Sequence, residues 1–388
     1  MPESPIERVE LVHVVLPPRR EHKWTGATEP IGGYLLVKLI AEDGSAGWGE
    51  CTALKDWAGE FGRYFGESVA IARTVIERYL APAAKGVMPS NLVELHARMD
   101  RAIKGYPYAK AAMDIAAYDL AGKQLGVPAH VLLGGALRRT IPITHSIGFI
   151  PIEDAEREVM QATKEGIRTL KIKVGVDPDR DVAIVKRVRD AVGPSIDICI
   201  DANQGYATPG EAIQTFRRME ACRIKYFEQP VHGIDRIAQV ARAIDAPVMA
   251  DESAWNAHDV IQIIEKRAAQ IVSIYTTKPG GLYRAMQVAA VCSAAGIVCN
   301  VNGSLETGVG NLANLHLAAA AEPVILSCVI PVSTPAEAQH GQVAGIYYKD
   351  DLLAEPMVLR DGALTLPSAP GLGMAIDDAK LRKFSVTS

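Results

Sequence analysis

The sequence predicts an α/β protein: a TIM-type (β/α)8 barrel, an N-terminal α+β domain that caps it, and a C-terminal tail that completes the cap. Three observations carry this reading. From about residue 141, eight short apolar runs are each followed by a helical stretch, the pattern of parallel βαβ units. The first third of the chain lacks that alternation. Finally, Lys173, Asp201, Glu228, Asp251 and Lys278 each stand at or just past the end of a run, roughly 23–28 residues apart, the length of one βα unit.

Taken in order, residues 1–135 form the capping domain. Val9–Leu16 and Tyr34–Ile40 alternate apolar and polar residues, which predicts antiparallel strands, and Glu42–Gly47 supplies a turn. Helical periodicity follows over 67–82 and 90–103, then over a longer helix, Tyr106–Leu125, with Ala and Met on its inner face. The domain closes near Leu133-Gly134-Gly135. Residues 136–333 form the barrel, with strand runs at Ile141–Ile147, Thr169–Val174, Ile196–Ile200, Tyr226–Phe227, Pro247–Ala250, Ile271–Thr276, Ile297–Val301 and Val324–Val329. Residues 334–388 are a polar segment, with one strand-like run at Ala363–Leu366, that returns to the cap.

With 388 residues, 48% of them apolar, the chain can build a large core, so disorder is not expected. A net charge of −4 leaves no electrostatic footprint for nucleic acid. No apolar run reaches the 18 or so residues of a membrane span, and MPESPIERVE is unlike a secretory signal. Six scattered cysteines with no CxxC pair read as reduced, buried thiols. A soluble cytoplasmic protein, with neither nucleic acid nor membrane as partner, is the expectation.

Catalytic groups of such barrels come from the C-terminal ends of successive strands, so the five charged residues should meet at one mouth. A single acid at a strand end is as readily a helix cap. Three in consecutive units, Asp201, Glu228 and Asp251, instead suggest hard oxygen ligands for Mg²⁺ with positions left for substrate. Asn203 and Glu252 stand beside them as supporting groups or spare ligands. Lys171 and Lys173 share one face of their strand, and inward-pointing lysines are costly unless paired or working. Lys173, nearer the strand end, is the candidate base, with Lys171 below it adding positive charge. Lys278 precedes Pro279-Gly280-Gly281, a turn whose glycines let it face the mouth from the opposite side. This set fits removal of a proton α to a carboxylate, with charge stabilisation of the enolate.

These motifs resemble the enolase superfamily, and within it the muconate-lactonizing subgroup. HKWTGATE (22–29) and GWGECTAL (47–54) are similar to its capping loops, and YAKAAMDIAAYDLAGKQLGVPAHVLLGG (108–135) to its long cap helix. TLKIKVG, DAN, EQP, ADES, KPGG and PGLG follow in the family's order. The resemblance implies Lys173 and Lys278 as an acid/base pair and Asp201, Glu228 and Asp251 as ligands of Mg²⁺, or Mn²⁺ in some members. It also implies a homo-oligomer. Glu306 in GSLETGVG matches a seventh-strand carboxylate of the family, and reads equally as a first-turn helix residue. Trp24, Thr25, Trp57, Asn203 and Asn302 are the candidate substrate-binding residues.

The stretch CNVNGSLETGVGN has no histidine, which disfavours the mandelate racemase type of second base. ILSCVIPV lacks the paired aspartates of dipeptide epimerases, and it also departs from the cycloisomerase pattern. The expected reaction is therefore muconate-like cycloisomerisation, or racemisation or epimerisation of a substituted acid. β-Elimination of the o-succinylbenzoate synthase or hydroxyproline dehydratase type is the alternative on the same scaffold. A non-catalytic homologue would be marked by loss of one of the five groups, and all five are present.

Overall fold

The structure is a computed structural model that describes residues 3–19, 23, 33–60, 63–333 and 342–386. Strands β1 (Ile6–Val15), β2 (Gly33–Ala41) and β3 (Ala46–Cys51) form an antiparallel sheet, as their alternation predicts. Helix Pro107–Leu125 lies across it, buried almost all round from Tyr108 to Gly122. Its Ala-rich face lets the backbones approach so closely that a Cβ at Gly47 or Gly49 would collide with the helix backbone at Ala116 or Ala112. The stretch expected to be one helix over 67–82 is helical at Val69–Val75 and Ala81–Ala84, with a π turn at Ile76–Leu80 between them.

Strands β4 (Thr140–Pro142) and β5 (Thr144–Ile147) share the first barrel run. They are followed by β6 (Thr169–Lys173), β7 (Asp197–Asp201), β8 (Phe227–Glu228), β9 (Val248–Ala250), β10 (Ile271–Ile274) and β11 (Val298–Val301). The seven from β5 to β11 pair in sequence order as one parallel sheet, with helices packed outside it.

The expected eighth strand, Val324–Val329, is not a regular one. It bridges both sheet edges at isolated points, Ile143 to Cys328 and Cys299 to Val324. Thr144 N donates to Cys328 O at 2.8 Å, and Val329 N to Val301 O at 2.9 Å, so the ring is closed. Regular pairing fails because Ile325 N and Leu326 N both donate to Cys299 O, a bulge that breaks the ladder. The first run divides for a similar reason: Ile143 N turns away to donate to Gly362 O at 2.8 Å.

Inside the ring, Cys199, Tyr226, Met249 and Ile271 form a small apolar plug below the mouth. Beyond residue 342 the chain divides its contacts. Strand β12 (Ala363–Thr365) pairs with β4, while Ser385 bridges Val14 and Val386 N donates to His13 O at 2.9 Å. The terminal segment thus returns to the cap by way of the barrel floor.

Candidate active site

Strand alternation sends Leu170 and Ile172 toward the helices and Lys171 and Lys173 into the ring. Register then sets the neighbours: Lys173 opposite Asp201, and Asp201 opposite Glu228. Asp251 follows the end of β9, two residues beyond Met249, which is opposite Glu228. Gln229 fixes the turn there, its Oε1 accepting from Asp251 N at 2.9 Å and Ser253 N at 3.2 Å.

Lys173 Nζ donates to Asp201 Oδ2 and to Asn203 Oδ1, each at 2.6 Å. Lys171 Nζ donates to both oxygens of Glu228, at 2.9 and 3.1 Å, and reaches Asp201 Oδ2 at 3.3 Å. The Asp201 carboxylate therefore lies between the two amines. It offsets the lysine–lysine repulsion that alternation alone suggested. Burial pushes the Asp201 carboxyl up, but Lys173 and Lys171 outweigh this and hold it at about 2. Burial opposes charge on Lys171 too, yet Glu228, Asp201 and Asp251 keep it protonated. Glu228 is driven well above its ordinary range by burial and by the charges of Asp201 and Asp251.

Three carboxylates crowded on consecutive strands suit a hard divalent cation, which would relieve the repulsion that raises Glu228. Lys171, Lys173 and Lys278 each donate to one or more of these carboxylates. Among the described residues, no three acid, His or Cys side chains are already drawn together closely enough to coordinate an ion. Glu252 beside Asp251 is fully buried and pushed up to about 8 by burial and by the Asp251 and Asp201 charges. Its Oε1 accepts from Asn203 Nδ2 at 2.9 Å and Trp57 Nε1 at 3.3 Å, while Oε2 finds no protein partner.

A cavity of about 510 Å³ opens onto Lys171, Lys173 and Asn203, walled by Trp57, Leu54, Tyr275, Leu305 and Tyr347. Trp57 and Asn203, two of the candidate substrate-binding residues, both line this cavity. Trp24 and Thr25 lie outside the described residues. Asn302 does not line the cavity; its Nδ2 donates to Glu228 Oε1 at 2.9 Å. Glu306 sits behind the Gly303–Leu305 wall, Oε1 accepting from Ser304 N at 2.8 Å, and does not line the cavity either.

Lys278 differs most from expectation. Its Nζ is buried and donates to Asp251 Oδ1 (2.7 Å), Asp251 O (2.9 Å) and Ser273 O (2.9 Å). The cavity is lined instead by Tyr275, whose ring centre is 4.2 Å from that ammonium and whose hydroxyl donates to Asp251 Oδ2 at 3.0 Å. Sequence reasoning missed Tyr275, although it shares the inward parity of Ser273 on the same run. The glycines after Lys278 do serve the turn. Gly280 and Gly281 take φ of 96° and 119°, and the Asp114 carboxylate packs against Gly281 to accept from Leu282 N at 2.5 Å.

Residues 8–134 match the family described as mandelate racemase / muconate lactonizing enzyme, N-terminal domain, and residues 154–380 the enolase C-terminal domain-like family. Muconate cycloisomerase 1 of Rhodococcus opacus is 30% identical over 382 residues, 97% of either chain. The solved structure of N-succinyl Arg/Lys racemase from Bacillus cereus superposes with a TM-score of 0.89 at 29% identity, covering 99% of this chain and 98% of that one. A dipeptide epimerase from Enterococcus faecalis, solved with Mg and the dipeptide L-Leu-L-Tyr, gives 0.85 at 28% identity over 96% and 99%. These relatives are isomerases. The chain belongs to the enolase superfamily, in its muconate-lactonizing subgroup.

Proposed function

We propose that the protein is a divalent-metal-dependent isomerase that removes the proton α to the carboxylate of a small substrate, with Lys173 as the base. One observation carries this: Lys173 opens onto the cavity beside Asp201, with Glu228 and Asp251 on the next two strands. Asp201, Glu228 and Asp251 would hold the cation, Mg²⁺ by preference of the donor set and as found in the dipeptide epimerase. That cation supplies the positive charge against which a bound carboxylate gives up its α-proton.

The chain's own residues do the rest. Asn203 and Asp201 orient the Lys173 amine, and a substrate carboxylate drawn over the acids takes its α-carbon to that amine. Lys171 and Asn302 hold Glu228 in place from below and from the side. Trp57, Leu54 and Leu305 exclude water from the reacting carbon. Racemisation and β-elimination share this first step; in cycloisomerisation it is the first step of lactone opening, and ring closure runs it in reverse, with the Lys173 ammonium returning the proton to the α-carbon.

The test is ¹H NMR in D₂O with Mg²⁺ on a panel of muconolactones, N-succinyl amino acids and dipeptides. Loss of an α-proton signal that stops on chelation supports the reading. Exchange that continues in excess chelator contradicts it.

A further inference from the structure

Strand parity sorts the side chains of β5. Ser146 is opposite Lys171 and faces into the ring, whereas His145 is opposite Leu170 and faces the helices. There His145 Nε2 meets Glu158 Oε1, on helix Ile152–Lys164, at 2.8 Å. Its other ring nitrogen, Nδ1, accepts from Gly345 N at 3.1 Å. The chain beyond residue 342 is thereby fastened to the outside of β5. Arg19 holds it from the cap, its N donating to Tyr347 O at 2.7 Å and its Nε to Ile346 O at 3.1 Å.

Ile346–Tyr348 pairs in parallel with Val332–Ser333, but not residue for residue. Val332 is opposite Ile346 and Ser333 is opposite Tyr348, so Tyr347 is the extra residue of a bulge. Bulges recur beside active sites because the inserted residue re-aims a side chain. Here Tyr348 reaches Leu305 O, while Tyr347 turns over the end of β5. Its hydroxyl donates to Ser146 O at 3.1 Å, and it lines the cavity.

One arc of the cavity is thus made by Ser146, Tyr347, Val329, Ser304 and Leu305. Strand β5 pairs with β6, so this arc adjoins Lys173. Its polar side-chain atoms are three hydroxyls, and none of its side chains is charged. Such a surface gains from burying carbon and gives an ion nothing to pair with.

We propose that Tyr347 is a specificity-determining residue, whose ring sets how long an apolar substituent fits beside Lys173. His145 acts on the same property through Gly345, as a positioning residue for the bulge. The proposal rests on the reading of this cavity as the substrate site, with Lys173 as the base.

The test is calorimetric, with Mg²⁺ and two graded sets of probes. One is N-acetyl amino acids with linear side chains from alanine to 2-aminooctanoate, and the other N-acyl alanines from acetyl to octanoyl. In wild type, affinity should rise with added carbons and then fall at a set length in at least one series. In Tyr347→Ala, or in Tyr347→Leu if the smaller residue unfolds the chain, that limit should move to longer chains. The first acid beyond the wild-type limit should then gain about tenfold relative to the shortest one. His145→Leu, which removes the acceptor for Gly345 N, should move the limit the same way. His145→Asn, which keeps an acceptor near the place of Nδ1, should retain the wild-type limit.

A limit at the same length in both Tyr347 variants would overturn the proposal. So would one common factor across all acids, which marks a purely structural role. An unmoved limit in His145→Leu would overturn the part assigned to His145. Affinity needs no turnover, so failure of Lys173 as the base shows separately, as α-proton exchange that survives Lys173→Met while the length limit stands. No Mg²⁺-dependent binding of any acid would overturn the substrate site itself, and the proposal with it.

Discussion

Lys173 and Asp201 face each other in register on adjacent parallel strands, with Nζ and Oδ2 2.6 Å apart. The proposed base and one proposed metal ligand are thus one ion pair. A cation held by Asp201 would weaken that carboxylate's hold on the amine, so metal binding would be coupled to the freedom of Lys173.

Lys171 is the counter-charge of the buried acids. Replacing it by Met leaves Glu228 without its ammonium partner and Asp201 with Lys173 alone. The loss of a buried pair partner should cost about 3–5 kcal/mol in denaturant unfolding. Mg²⁺ should restore part of that loss, since a ligand that binds only the folded state stabilises it. Loss of stability that Mg²⁺ leaves unchanged would count against the three acids as a cation site.

Glu306 is held at about 8, by burial first and by the Glu50 charge, and its Oε2 has no protein partner. Its folded-state pKa therefore lies above the unfolded value. The stability it contributes is intact below about pH 4.5 and is lost as pH rises through about 8. Glu306→Gln should flatten that part of the stability–pH curve and raise stability at pH 9 relative to wild type. Parallel curves for the two proteins would refute the assignment.

Leu305, a wall of the cavity, has a φ of 65°, in the left-handed region. Its carbonyl accepts from the hydroxyls of both Tyr34 and Tyr348, which fix that conformation from the cap and from the C-terminal segment. Removing both hydroxyls by Tyr34→Phe with Tyr348→Phe leaves a buried carbonyl unpaired. Stability should fall by about 1–3 kcal/mol, with KM raised more than kcat is lowered. Unchanged KM would show that the wall is held by other means.

Gly281 combines φ of 119° with contact against the Asp114 carboxylate. Gly281→Ala should lower the melting temperature by an amount matching about 1–3 kcal/mol of backbone strain, with the added methyl clash on top. A wild-type melting temperature would mean the turn tolerates a Cβ.

Much of this arrangement was legible in the sequence because it follows from periodicity. Strand parity set Lys171 and Lys173 inward, and the βα repeat brought Asp201, Glu228 and Asp251 to one mouth. What failed was whatever parity does not govern. Lys278 lies past the end of β10, where turn geometry and not alternation aims the side chain, and the turn aims it under Tyr275. The run Val324–Val329 has the composition of a strand, but a bulge at Cys299 breaks its ladder, and bulges leave no compositional trace. Asn302 and Glu306 stand in the right segment yet behind the cavity wall, a depth that sequence spacing does not encode.

The central claim is that Lys173 takes the substrate's α-proton. The most direct test is the rate of α-proton exchange in D₂O with Mg²⁺, measured on one acid for wild type and for Lys173→Met. The account predicts a fall of about 10²–10⁴-fold in the variant, with Mg²⁺-dependent stabilisation retained. Exchange at the wild-type rate in folded Lys173→Met would contradict it.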